Sequence, residues 1–258
     1  MAENENLNSL GKKIFFVHPS AFAQNHIISE LAQEEFEVYI LKDESKLRIA
    51  LLKYPDSIVF ASINETIKEN AWDELVRGIL SSPETKGVQV GIIASPLSDE
   101  SVRKKYTEQY KVQCGCTIVK SDHIEAIKQL SAVLNAVDAK GRRKYIRMEM
   151  GNEANTTVNM PFNSNFINGR IKDISVVGFS CSFDEDPGLA KNSLYGDLQL
   201  KLQSQLIKAE GIVFGSRMDD VEKVYVILFT QRVDPSVKAK IRKYIQANLQ
   251  SRMDQELK

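Results

Sequence analysis

The chain has 258 residues, 43% hydrophobic and 26% charged, with 34 lysines and arginines matching 34 aspartates and glutamates. This is the composition of an ordinary globular protein with room for two domains. No run approaches the about 20 apolar residues of a membrane span, and the start Met1-Ala2-Glu3-Asn4-Glu5-Asn6 is polar and acidic, unlike a signal peptide, so a cytoplasmic protein without membrane insertion is expected.

After a flexible N-terminus over 1–12, residues 13–138 alternate short apolar runs with amphipathic stretches. The runs are Ile14–Val17, Phe36–Leu41, Ser57–Phe60, Val88–Ile93 and Cys114–Val119, rich in the β-branched and aromatic residues of buried parallel strands. Helical spacing joins Ile27, Ile28 and Leu31; then Leu47, Ala50 and Leu51; then Trp72, Leu75, Val76 and Ile79. A fourth helix is expected near Ser101–Tyr110, and a fifth carries Ile124, Ile127, Leu130, Val133 and Leu134. Five such βα units predict an open, doubly wound α/β sheet, flavodoxin-like in class. Neither G-x-G-x-x-G nor G-x-x-x-x-G-K-[ST] occurs, which argues against a phosphate loop here.

Three cysteines (Cys114, Cys116, Cys181) stand in apolar runs without C-x-x-C spacing and read as small core residues, and His18, His26 and His123 lack metal-ligand spacing, so no metal is expected. Charge is uneven: residues 1–140 hold 16 basic against 20 acidic residues, and residues 141–258 hold 18 against 14. A second half at +4 suits a small anionic ligand and is too weakly basic for non-specific DNA binding.

From Gly141 the pattern changes. Gly141-Arg142-Arg143-Lys144-Tyr145-Ile146-Arg147 contains R-x-x-x-R at Arg143 and Arg147, and Asp173-Ile174-Ser175-Val176-Val177-Gly178 follows as D-x-S-x-x-G. Planar guanidinium forks suit phosphate oxygens and the O6/N7 edge of guanine, while a carboxylate accepts from its N1–H and N2–H. Strands are expected at Tyr145–Met150, Ile167–Ile174, Gly178–Phe183, Asp197–Leu202, Ile207–Arg217 and Val221–Thr230, six without intervening helices, hence an antiparallel barrel. Gly151–Asn165 reads as an Asn-rich loop or poorly formed edge strand, and Asp184-Glu185-Asp186-Pro187-Gly188 as a solvated acidic turn. Asp234-Pro235-Ser236 opens a final helix whose Val237, Ile241, Tyr244, Ile245 and Leu249 cover the barrel.

The two motifs resemble those of the PilZ family, a small β-barrel that binds cyclic di-GMP in bacteria. The resemblance runs from about residue 139 to 258, with 139–147 as linker and ligand-binding segment. It implies that Arg142, Arg143, Arg147, Asp173, Ser175 and Gly178 bind cyclic di-GMP, with Gly178 turning the chain at positive φ or admitting the ligand. The first domain is similar to a receiver domain whose chemistry is missing. Val17-His18-Pro19-Ser20 lacks the metal-binding carboxylates and Val59-Phe60-Ala61-Ser62-Ile63 the phosphorylated aspartate, although Ser95 and Lys120 stand about where the switch hydroxyl and lysine belong. The implied protein is a cyclic di-GMP receptor without enzyme activity or cofactor, relaying the second messenger through interdomain rearrangement and a protein partner. The alternative is a ligand-independent interaction adaptor.

Overall fold

The computed structural model describes residues 11–63, 69–95, 98, 100–119, 123–151, 156–219 and 222–258. Lys120, Asn152, Asn155, Val221 and the Met1–Asn6 stretch, all used in the sequence reading, lie outside the described residues. The chain divides into two units, one of residues 1–144 with Gln250–Lys258, the other of Tyr145–Leu249.

The first unit is a five-stranded parallel sheet in the order β2-β1-β3-β4-β5, built from β1 (Ile14–Val17), β2 (Val38–Leu41), β3 (Ile58–Ile63), β4 (Gln89–Ala94) and β5 (Cys116–Ile118). Each strand is followed by helix: α1 (Ser29–Gln33, entered through a π-helical turn at Ala23–Ile28), α2 (Glu44–Lys53), α3 (Glu69–Ser81), α4 (Glu100–Lys104, continued by a π-helical turn at Lys105–Gln109) and α5 (His123–Ala136). The doubly wound sheet expected from the apolar runs is present. Every residue of β1 is buried because it is a central strand covered on both faces. On one face Ile14, Phe16, Ile58 and Phe60 pack with Ile27, Ile28 and Leu31 beside α1 and with Ala126, Leu130 and Leu134 of α5. Gly91 makes room for this layer, since a Cβ there would lie 2.4 Å from the Phe60 ring. Asp43 caps α2 by accepting from the Ser45 N–H at 2.9 Å.

The edge strand β2 is finished from the far end of the chain. Gln250 accepts from the Ile40 N–H at 2.8 Å and donates to its carbonyl at 3.0 Å, so one side chain satisfies both edge-facing backbone groups. Tyr54 and Lys53 bind the Glu256 carboxylate at 2.5 and 2.7 Å and hold it below its usual pKa, while Met253 and Leu257 are buried.

The second unit is a six-stranded antiparallel barrel followed by a C-terminal helix. Its strands are β7 (Thr156–Phe162), β8 (Asn165–Ser175), β9 (Gly178–Phe183), β10 (Leu194–Leu202), β11 (Gln205–Asp219) and β12 (Glu222–Phe229), in the order β8-β7-β10-β11-β12-β9, closed by β8–β9 pairing. A two-residue strand, β6 (Met148–Glu149), extends the edge of β8 beyond the end of β7. The expected count of six holds, but its membership changes. The stretch read as an Asn-rich loop supplies β7, whose Thr156, Val158 and Met160 alternate inward, while the expected first strand shrinks to Met148–Glu149. Asn159 and Pro161 on outer positions, within an Asn-rich stretch, hid a true period of two. Asn163 and Ser164, with φ of 46° and 67°, form the β7–β8 turn in the left-handed geometry favoured by tight hairpins.

The final helix α6 (Pro235–Glu256) starts at Asp234, whose carboxylate accepts from the Ser236 N–H at 2.7 Å. Ile241, Tyr244 and Ile245 join the barrel core, with Val237 and Leu249 at its margin, which is the face expected from their spacing. Its last turns, from Gln250, group with the first unit. The acidic turn is not simply solvated. Asp186 accepts from Tyr225, from Lys223 at 3.1 Å and from the Gly188 N–H at 3.0 Å, and these bonds, Tyr225 foremost, bring its pKa to about 2.

Candidate functional site

The second motif is built by the β8–β9 hairpin. Strand β8 carries a bulge between Ile171 and Asp173, after which Asp173 pairs with Ser180 and Ser175 with Gly178. Phe179 and Cys181 enter the core, so strand alternation puts Ser180 on the other face, beside Asp173. The Ser180 hydroxyl donates to one carboxylate oxygen of Asp173, and both groups are buried. The other oxygen faces Nε of Arg147 at 3.5 Å. Strand β6 makes that approach possible, because Glu149 stands opposite Asp173 on the other edge of β8, two residues beyond Arg147.

The contact is asymmetric. The Asp173 side chain is 12% exposed and that of Arg147 is 47% exposed, so a fixed carboxylate meets a half-solvated guanidinium through Nε. An ion pair this open contributes at most about 1 kcal/mol. The arginine can therefore exchange partners at small cost, whereas the carboxylate is already oriented. Nearby on β8, Lys172 contacts Glu222 and Arg170 lies 3.9 Å from it; Lys172 is the main reason the Glu222 carboxyl sits below its usual pKa.

Ser175 and Gly178 shape the hairpin. The Ser175 hydroxyl donates to the Gly178 carbonyl at 3.1 Å and accepts from the Val177 N–H at 3.4 Å, which ties the Val176-Val177 turn. Gly178 does not have the positive φ anticipated for it. A Cβ at this position would lie 2.3 Å from the Ile227 carbonyl oxygen and 3.0 Å from Leu228 Cα, so glycine is required by close packing of β9 on the backbone of β12. Arg142 and Arg143 precede the boundary between the units. Both are exposed, and they follow Gly141, which turns the chain at φ 58° after α5.

Of the six expected site residues, the second unit thus brings Arg147, Asp173, Ser175 and Gly178 together, while Arg142 and Arg143 belong to the end of the first. Ser180 was not anticipated. It is seven residues from Asp173, and only the bulge and the hairpin register make them neighbours. Lys172 and Glu222 were likewise invisible, being 50 residues apart in the chain.

At the carboxyl end of the parallel sheet the chemistry is different. His18, at φ 49°, has its N–H on the Leu41 carbonyl at 2.9 Å and its ring edge-on to Trp72 at 6.0 Å. Ser62 is buried with no partner for its hydroxyl, and Ser95 donates its N–H to the Ile63 carbonyl at 3.2 Å. Among the described residues no group of three or more His, Cys, Asp or Glu is placed to hold a metal ion, and no helix is long and apolar enough to cross a membrane.

No curated protein matches the chain in sequence. Among solved structures, the PilZ domain of YcgR from Escherichia coli with c-di-GMP is similar at 12% identity and TM-score 0.38, covering 44% of this chain and 96% of that one. YcgR from Escherichia coli in complex with c-di-GMP shows 14% identity and TM-score 0.39 over 45% of this chain and 50% of that one. The K. pneumonia MrkH–c-di-GMP complex shows 17% identity and TM-score 0.41 over 44% and 55%. The chain therefore spans about half the length of those two longer proteins. Residues 141–247, the barrel with its preceding arginine segment and most of its closing helix, match the family model of the PilZ domain.

Proposed function

We propose that the chain is a cyclic di-GMP receptor, with Arg142, Arg143, Arg147 and Asp173 as the ligand-contacting groups. The observation that carries this reading is the placement of Arg147 beside a pre-oriented Asp173 inside the segment that matches the PilZ domain. Cyclic di-GMP is a dianion with two guanine edges. Arg147 leaves its 3.5 Å contact for phosphate or the O6/N7 edge, and Asp173 accepts from guanine N1–H and N2–H. Arg143 completes the R-x-x-x-R clamp, and Arg142 adds a further guanidinium for stacking or phosphate contact. Ser175 and Gly178 act on shape, by tying the turn and by seating β9 on β12.

Hydrogen bonds to charged groups contribute roughly 1.5–3 kcal/mol each, so a handful, less ordering costs, reaches the about 8 kcal/mol of micromolar binding. Because residues 142–147 also form one of the two covalent passages between the units, the other lying within α6 at Leu249–Gln250, ordering them around the ligand changes interdomain geometry, which is the relayed signal. The parallel-sheet unit acts in this reading as a receiver-like output module without phosphorylation chemistry. Its strand order supports that assignment, and the absence of carboxylates from Val17–Ser20 and Val59–Ile63 leaves the nucleotide as the input.

Calorimetry with cyclic di-GMP tests the reading. The wild type should bind with micromolar Kd, and Arg143→Ala combined with Arg147→Ala should abolish the heat. A silent wild type, or a double variant that binds normally, overturns it. Small-angle scattering with and without saturating ligand tests the relay, which fails if the two profiles coincide.

A further inference from the structure

We infer that Ser180 is a positioning residue for guanine recognition, acting through Asp173. The inference deepens the proposed function and rests on it. Ser180 lies outside both motifs, and the barrel core uses the opposite face of its strand. Its hydroxyl donates to one oxygen of Asp173, at 2% exposure of the serine. That hydrogen bond occupies one acceptor site and fixes the carboxylate plane across the β8–β9 register. The second oxygen, now facing Arg147, and the remaining lone pair of the first are left to meet the two donors of a base.

The consequence is selective. Guanine offers N1–H and N2–H donors to a correctly turned carboxylate, whereas adenine offers an acceptor at N1 and no 2-amino group. The phosphates of the two cyclic dinucleotides are the same. A residue that only orients Asp173 therefore governs the preference for guanine over adenine and leaves phosphate binding by the arginines unchanged. A residue that merely supports the fold changes both ligands alike.

The test uses the full chain, calorimetry with cyclic di-GMP and cyclic di-AMP, and the variants Ser180→Ala, Ser180→Thr and Asp173→Ala. Ser180→Ala should weaken cyclic di-GMP binding about tenfold, the worth of one hydrogen bond to a charged group. It should change cyclic di-AMP binding less than twofold, so that the guanine preference falls by nearly the whole factor. Ser180→Thr, which keeps the hydroxyl, should restore most of the preference. Circular dichroism and thermal melting identify a variant that has lost the barrel. If Ser180→Ala misfolds, the Ser180→Thr and Asp173→Ala preferences decide: threonine must stay close to wild type while Asp173→Ala loses the preference.

A wild-type protein that binds no cyclic di-GMP overturns this inference together with the receptor reading. If the wild type binds and Asp173→Ala loses guanine preference, but folded Ser180→Ala keeps it, the inference alone falls. It also falls if folded Ser180→Ala weakens both ligands equally.

Discussion

The Asp173 carboxylate of the barrel and the Ser62 hydroxyl of the parallel sheet are held differently. In the barrel, the Asp173 carboxylate has a hydroxyl partner on one oxygen and a half-exposed guanidinium on the other. In the parallel sheet, the hydroxyl of Ser62, near the carboxyl end of β3, is buried without a partner, as is that of Thr156 in the barrel. The carboxyl end of such a sheet is where this architecture ordinarily takes a ligand, yet here β1 and β3 run out into His18 and Ile63. The contrast teaches where to look for a site: at polar groups held in a stated orientation with one side left for an exchangeable partner.

The sharpest way to break the comparison is to remove an oriented group from one unit and a partnerless one from the other. Asp173→Ala should weaken cyclic di-GMP about a hundredfold by titration calorimetry, the loss of two bonds to a charged acceptor. Ser62→Ala, by contrast, should leave both affinity and stability nearly unchanged, because it deletes a buried hydroxyl that bonds to nothing.

Stability can separate the units because the chain's single tryptophan, Trp72, reports on the first one. Gly178→Ala forces a Cβ to within 2.3 Å of the Ile227 carbonyl oxygen and should cost about 3 kcal/mol. The far-ultraviolet dichroism transition in urea should then move to lower denaturant ahead of the Trp72 fluorescence transition. Gln250→Ala should do the reverse on a smaller scale. It removes both bonds to Ile40, about 1–2 kcal/mol together, so the Trp72 transition should move and amide exchange at Ile40 should quicken.

The smallest effect expected is a pH dependence in the barrel. Hydrogen bonds from Tyr225, Gly188 and Lys223 lower the Asp186 pKa from the ordinary 3.8 to about 2 in the folded state. Well above pH 3.8 the carboxylate is ionised whether the chain is folded or not, and its stabilisation is complete. As pH falls toward 2 that contribution is lost. The stability difference between wild type and Asp186→Asn, measured by thermal melting, should therefore be constant near neutrality and shrink across this acid window.

Part of the candidate site was legible in the residues themselves. Arg147, Asp173 and Ser175, which the second unit brings together, stand out by side-chain type and local spacing, and the hairpin connecting Asp173 to Gly178 spans only a few residues. Its mechanical parts were not legible. Gly178 is expected from the motif to turn the chain at positive φ or admit the ligand, but the close contacts that require glycine are with Ile227 and Leu228, about fifty residues away. The solvated appearance of Asp184–Gly188 hid the bond from Tyr225, because only the path of β12 brings that phenol to Asp186.

What the sequence determined by itself was most of what local periodicity governs. It contained five buried apolar runs alternating with helical patterns, then a change to strand alternation at Gly141, and a capped final helix with Ile241, Tyr244 and Ile245 on one face. Tertiary structure alone decided which long-range neighbours complete each element. It recruited Thr156–Phe162 as a barrel strand despite Asn159 and Pro161, placed Ser180 against Asp173, and set Gln250 on the open edge at Ile40. The physical reason is that backbone and carboxylate groups accept any suitably placed donor. Sequence spacing within a helix or strand fixes which side chains share a face, but the donor across a bulge or at the far end of the chain is chosen only when the elements pack.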